Sequence, residues 1–127
     1  MTDWILAWDD GFEERQADDP DWEVVEERIA ALDGAHHTIV TIYRGTAHMA
    51  CGGSAETGVV LYATFDNEQF WQLTNSDADD EPVSVVAGGQ AGQYPRRVVV
   101  TAGQAHSAMR TFLESGVLHA VSTWVEQ

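Results

Sequence analysis

Apolar residues recur along this chain with two different periods, and the change of period divides it into elements. Residues 4–8 (WILAW) are a short apolar stretch closed by Asp9-Asp10-Gly11, which reads as a first strand ended by a turn. Asp19-Pro20 then has the form of a helix start, with aspartate as N-cap and proline at the first helical position. Trp22, Val25, Ile29 and Leu32 follow at spacings of three, four and three before Gly34, which predicts an amphipathic helix with one face on a core. From His37 the chain turns to short runs rich in Val, Ile, Thr, Tyr and Trp. Segments 37–44, 47–51, 59–65, 69–74 and 82–87 predict antiparallel strands, separated by Gly45, the Gly52-Gly53 pair, Asp66-Asn67 and the segment 75–81. Val59-Val60-Leu61-Tyr62 is apolar on both faces, which places it inside the sheet under a helix, and Asp66-Asn67 predicts a hairpin turn. A glycine-rich loop (Gly88, Gly89, Gly92) leads through Tyr94-Pro95 and segment 96–100 to a second helix. Thr101 and Gln104 then form a capping-box pattern, Ala105, Met109, Phe112 and Leu113 line one helical face, and Gly116 supplies the C-cap. A last strand, 119–125, carries Trp124. The pattern predicts an α+β fold: a mostly antiparallel β-meander packed against two helices, one domain spanning 1–127.

Composition adds a packed core to this picture. The chain is 44% hydrophobic with five tryptophans, and a chain of 127 residues can bury roughly two thirds of its unfolded surface. Cys51 is the only cysteine, so there is no internal disulfide, which suits a reducing compartment. The N-terminus lacks a basic segment followed by an apolar one, and no run of about 18 apolar residues occurs. The expectation is a soluble, cytoplasmic protein.

Charge changes the picture most. Twenty-one acids face six basic residues, all arginine, for a net charge of −15. Residues 1–33 hold twelve acids against Arg15 and Arg28, and from Gly45 to Pro95 there is no lysine or arginine at all. Such a field speeds association with cationic partners by roughly 10–10³-fold and repels nucleic acid and anionic lipid. The partner is therefore expected to be cationic, neither a nucleic acid nor a membrane. Asp21 and Glu23 have a structural role at the helix start, where negative charge suits the dipole; acidity that serves only solubility is the competing reading.

Motifs for chemistry are thin. His48 and Cys51 have an H-x-x-C spacing with His36-His37 upstream, but adjacent strand histidines point to opposite faces and four zinc ligands do not assemble. Asp77-Ala78-Asp79-Asp80-Glu81 alternates carboxylates as a calcium loop does, yet Pro82 stands where that loop needs glycine. Ser54 lacks the final glycine of a nucleophile elbow, Gly88–Gly92 lacks the positive surroundings of a phosphate cradle, and Cys51 lacks a neighbouring cation. The residues assign no catalytic group, metal or cofactor, and the chain reads as a non-enzyme. Phe70 and Trp71 are adjacent on a strand and so point to opposite faces, which makes one of them a potential anchor; Tyr94 has a similar claim from its Gly/Pro-rich loop.

Tyr94-Pro95, Ala102, Ala105, Met109, Phe112-Leu113, Gly116 and Trp124-Val125-Glu126, together with an early W-D-D-G strand end and the Gly52-Gly53 pair, resemble the first family of bacterial polymorphic-toxin immunity proteins. Leu118-His119 departs from the basic residue and proline common at that point in the family. The resemblance implies an inhibitor of a cognate toxin, most often a zinc-dependent nucleic-acid deaminase, and this chain lacks the deaminase's own H-x-E and P-C-x-x-C elements. A toxin acting on nucleic acid presents a basic cleft that an acidic globule can fill. The expected toxin-binding set is Asp66, Glu68, Asp77, Asp79, Asp80 and Glu81, with Trp71 and Tyr94 as anchors. Gly52, Gly53, Phe112, Gly116, Trp124 and Glu126 are expected to serve the fold. Three rival functions fit the same composition: a DNA-mimic inhibitor of a DNA-binding protein, a small acidic hydrolase or metal-binding enzyme, and a structural or adaptor domain with no inhibitory role. Oligomeric state is left open.

Overall fold

The computed structural model describes residues 4–75, 78–120 and 122–127, so Asp77 lies outside the described residues. The strands are β1 (Ile5–Asp10), β2 (Glu13–Asp18), β3 (Ile39–Arg44), β4 (Ala47–Ser54), β5 (Gly58–Thr64), β6 (Phe70–Thr74), β7 (Pro82–Ala87), β8 (Gln90–Pro95) and β9 (Thr123–Glu126); the helices are α1 (Trp22–Ala30) and α2 (Ala102–Ser115). Seven strands form one antiparallel sheet in the order β2-β1-β3-β4-β5-β6-β9, and β7 pairs with β8 as a separate hairpin. The architecture is α+β, as the periodicity predicts.

Strand alternation sends Leu6, Val40, Ile42, Met49, Leu61 and Leu73 to one face, where all are buried. Against them pack Val25 and Ile29 of α1 and Ala105, Met109 and Phe112 of α2 in one continuous core, with the Trp4 ring edge-on to Phe112 at 5.3 Å. Each large side chain fully buried there contributes about 1.5–3 kcal/mol. Helix α2 begins as its sequence requires: Thr101 and Gln104 exchange both capping-box hydrogen bonds, and Gly116 closes the helix at φ 69°, a conformation a side chain would strain. Trp124 is half-buried on the core, its indole N–H donating to the His119 carbonyl at 3.1 Å.

Five local expectations change. Strand β2 was not predicted, because EERQAD has no apolar face; it is an edge strand held by its ladder to β1, and its charges keep that edge from templating further strands. Helix α1 starts at Trp22 with Asp21 as N-cap, its carboxylate accepting from the Val24 N–H at 3.1 Å, because Asp19 is at φ 45° in the turn leaving β2. Gly52-Gly53 lies inside β4 and is no turn: the pair is opposite Val60 and Val59 of β5. The glycine-rich segment 88–92 is the turn and start of β8 rather than a loop, so segment 82–87 leaves the main sheet. The last strand is shorter than 119–125, spanning Thr123–Glu126, while segment 96–100 holds a short 3-10 turn at Arg96–Val98 and a single bridge between Val100 and Val59.

The glycines of β4 explain why the β7–β8 hairpin can lie on the sheet. A Cβ at Gly52 would stand 2.5 Å from the Ala87 Cβ and 3.1 Å from the Thr38 carbonyl, well inside contact distance. The hairpin is further tied by the Gly89 N–H, which donates to the Thr38 hydroxyl at 2.8 Å. Thr38 is in turn held by Asp9, whose carboxylate accepts from the Thr38 and Ile39 N–H groups at 2.6 and 2.9 Å. The preceding turn depends on Asp33, which accepts from the N–H groups of Ala35, His36 and His37.

Gly52→Ala is expected to lower stability by about 1–3 kcal/mol through overpacking, and Ala87→Gly in the same chain to recover part of that loss; urea denaturation of the single and double variants measures both. Asp33 provides a pH signature. The hydrogen bond from His37, then that from Ala35, holds its carboxyl down at about 2 against an ordinary 3.8. A depressed folded value means stabilisation that is complete above 3.8 and disappears as pH falls through about 2. Asp33→Ala should therefore melt below the wild type at neutral pH, with the gap narrowing across that acid range in thermal scans.

Candidate functional site

Both helices lie on one face of the sheet, so the other face is covered only where the β7–β8 hairpin crosses it. The cross-strand register defines what remains. One row of outward residues runs Gln16, Ala7, Thr41, Ala50, Tyr62, Gln72 and Val125 across all seven strands. The next row, farther from the hairpin, runs Asp18, Ile5, Tyr43, His48, Thr64 and Phe70. Aromatic rings meet between these rows: His48 lies 5.6 Å from Tyr62, and Tyr62 5.8 Å from Phe70. The Tyr62 hydroxyl and His48 Nε2 are 3.3 Å apart, and Gln16 donates to the Tyr43 hydroxyl at 3.0 Å. Burial among its neighbours pushes the Tyr62 phenol up, so it stays a neutral hydrogen-bonding group. These side chains are half-buried, apolar in body and polar at the tip, which is the composition of a contact surface rather than of a core.

The arginines are turned to the protein's own use. Arg15 pairs with Glu13 at 2.9 Å and Asp10 at 3.4 Å, Arg96 with Glu81 at 3.1 Å and Asp79 at 3.7 Å, Arg97 with Asp80 at 2.9 Å and Arg110 with Glu114 at 3.2 Å. Arg28 and Arg44 lie over the rings of Trp8 and Trp4, at 5.0 and 4.6 Å from the centroids. Exposed pairs of this kind add about 0–1 kcal/mol each to stability. Their larger effect is on the field: every arginine is engaged, while Glu14, Asp18 and Glu68 have no side-chain partner among the described residues.

The acids singled out by sequence do not form one patch. Asp66 and Glu68 lie in the β5–β6 turn, and Asp79, Asp80 and Glu81 beyond the far end of β6, a strand about 17 Å long at 3.4 Å per residue. Asp66 caps its own turn, accepting from the Gln69 and Glu68 N–H groups at 2.9 Å, and these bonds, Gln69 first, hold its carboxyl below the usual range. Asp79, Asp80 and Glu81 fold back on Arg96 and Arg97, so three negative charges meet two positive ones; the base-free stretch of sequence ends at the two residues that offset these three acids. Trp71 shares the helix-side face with Leu73 and Ala63, and it is Phe70 that joins the outward aromatic cluster. Tyr94 is half-buried on β8 opposite Val83, its ring lying over Gly92. Phe112 is fully buried, and Glu126, opposite Trp71 on β9, accepts from the Gln69 amide. Cys51 is buried in the core, which pushes its thiol up to about 12 and leaves it unreactive. Among the described residues no group of three or more His, Cys, Asp or Glu is placed to hold a metal ion, and no helix is long and apolar enough to cross a membrane.

Two features were missed by sequence. The Tyr43–His48–Tyr62–Phe70 grouping depends on cross-strand register, which no single segment encodes. Phe12 stands at the β1–β2 turn, the most exposed large hydrophobic of the described residues, on the wall of a cleft of about 650 Å³. The cleft is floored by Ala7, Ile39 and Thr41 and faced by the Gly88-Gly89-Gln90 turn. A lone phenylalanine inside Asp9-Asp10-Gly11-Phe12-Glu13-Glu14 was the signal available for it.

The geometry is that of a surface rather than of a pocket with convergent chemical groups: an acidic body with its cations internally satisfied and an aromatic sheet face left uncovered. No curated protein matches the chain. The sequence model of the family described as "Immunity protein Imm1" matches residues 13–126, nearly the whole length, from β2 to the last residue of β9. The chain therefore belongs to the Imm1 immunity protein family, whose members inhibit a toxin.

Proposed function

We propose that this protein inhibits a nucleic-acid-targeting toxin, a zinc-dependent cytidine deaminase, by covering the toxin's basic substrate cleft with its acidic, aromatic sheet face. It acts in the cytoplasm as a stoichiometric, non-catalytic inhibitor formed by one domain. The observation that carries this reading is the disposition of charge: all six arginines are engaged by the protein's own carboxylates or rings, so a net charge of −15 is presented outward almost without interruption. A cleft that binds phosphates must gather lysine and arginine, and a surface of opposite sign both steers the encounter and fixes its orientation. The tyrosines and Phe70 of the open face supply the apolar centre that such an interface needs, because charge alone gives rate and specificity more than affinity. Asp66 and Glu68 stand at one end of β6, and Asp79, Asp80 and Glu81 beyond the other. Of these, Glu68 is the acid we assign first, since Asp66 serves its turn and Arg96 and Arg97 offset Asp79, Asp80 and Glu81. Trp71 is on the helix-side face and Tyr94 on the separate hairpin, and both are assigned a lesser part.

Mixed with the toxin domain encoded by the adjacent gene, the protein should abolish cytidine deamination at one-to-one stoichiometry, with a Kd on the order of nanomolar or tighter; a toxin that is bound but has no deaminase activity removes the deaminase assignment and leaves the inhibitor. Glu14→Lys/Asp18→Lys/Glu68→Lys should slow association about tenfold at low salt and flatten its ionic-strength dependence. Stopped-flow on-rates that do not change would reject the electrostatic mechanism.

A further inference from the structure

We propose that the tip of the β1–β2 hairpin anchors the complex, with Phe12 entering an apolar socket on the toxin whose rim carries lysine or arginine. This inference rests on the toxin-inhibitor reading above and names the contact through which it works. Phe12 has a relative exposure of 111%, the highest among the exposed large hydrophobics. The turn does not ask for an aromatic there. Asp10 pairs with Glu13 across two loop residues, and Gly11 takes the positive φ, 66°, that a glycine-first hairpin turn needs; Phe12 has no such constraint, so any L-residue would serve the fold. An aromatic ring fully in water at a position where the backbone is indifferent has its burial still to gain from a partner.

The tip is also held still before any partner arrives. The Gly11 N–H donates to the His36 carbonyl at 2.8 Å, and His37 Nδ1 lies 2.8 Å from the Asp9 carbonyl. The Asp9 carboxylate takes the Thr38 and Ile39 N–H groups, and the 33–37 turn is fixed by Asp33. Pairing over the full length of β1 and β2 completes the clamp. With the backbone fixed in advance, only the two torsions of the ring remain to be ordered on binding, a small entropic cost for a large apolar side chain.

Charge decides among occupants. Asp10 and Glu13 flank the ring and share Arg15, while Glu14 beside them has no side-chain partner among the described residues. A second copy of this chain would bring the same acids against these, and an anionic lipid surface would be repelled. A basic protein surface is matched on both counts. Behind Phe12, the cleft of about 650 Å³ floored by Ala7, Ile39 and Thr41 can receive a side chain from the same partner.

The test uses full-length protein and the catalytically inactivated toxin domain from the adjacent gene. Phe12→Ala is expected to keep the wild-type melting midpoint and to weaken binding about 30-fold, chiefly through faster dissociation. A loss below about fivefold, with wild-type binding intact, overturns the hairpin assignment alone; a loss at or above that size upholds it. A lowered melting midpoint in Phe12→Ala overturns it as well, since that would place the ring in the fold. So would sedimentation of the isolated wild type as a dimer that Phe12→Ala dissociates. Failure of the wild type to bind the toxin at all removes the inhibitor reading and this contact together.

Discussion

A seven-stranded sheet has two faces, and this chain supplies helices for only one of them. That imbalance governs the rest of the structure. On the helical side, α1 and α2 together bury a continuous set of aliphatic side chains around Trp4 and Phe112, which is where the hydrophobic free energy of folding is gained. On the other side the chain has a single two-stranded hairpin, which reaches the sheet only because Gly52 leaves no Cβ between β4 and Ala87. What the hairpin leaves uncovered is built of residues that tolerate water at one end and a neighbour at the other: tyrosine, histidine, glutamine and threonine.

The same economy shapes the electrostatics. Six arginines serve twenty-one acids, and none is left facing solvent without a carboxylate or a ring. Beyond those paired with arginine, two kinds of carboxylate stand out. Asp9, Asp21, Asp33 and Asp66 accept backbone N–H groups and define turns, strand ends or a helix start; Glu14, Asp18 and Glu68 make no such bonds and contribute only field. For an immunity protein this separation is useful physically, because the acids that shape the fold need not be displaced for the others to meet a basic partner.

Much of the architecture was legible in the sequence. The α2 helix, its Thr101–Gln104 box and its Gly116 cap follow from local hydrogen-bonding chemistry, and the alternating runs of β3, β5 and β6 follow from burial of one face. Strand β2 was illegible because a polar edge strand has no hydrophobic period to reveal it. Gly52-Gly53 suggested a turn because glycine marks turns more often than close sheet-to-hairpin packing, and only contact with Ala87 tells the two apart.

Sequence by itself determined the α+β class, the net charge, the lack of an internal disulfide and the family resemblance, since each depends on composition, local periodicity or motif order. Tertiary structure decided which acids are free and which aromatics meet. Arg96-Arg97 neutralises an acidic segment from more than ten residues away, Tyr43, His48, Tyr62 and Phe70 come together from four strands, and Phe12 is placed on the wall of a cleft made by three separate segments. Charge pairing and surface shape are set by register and packing between distant segments, and a one-residue shift of register would have turned that whole aromatic row inward.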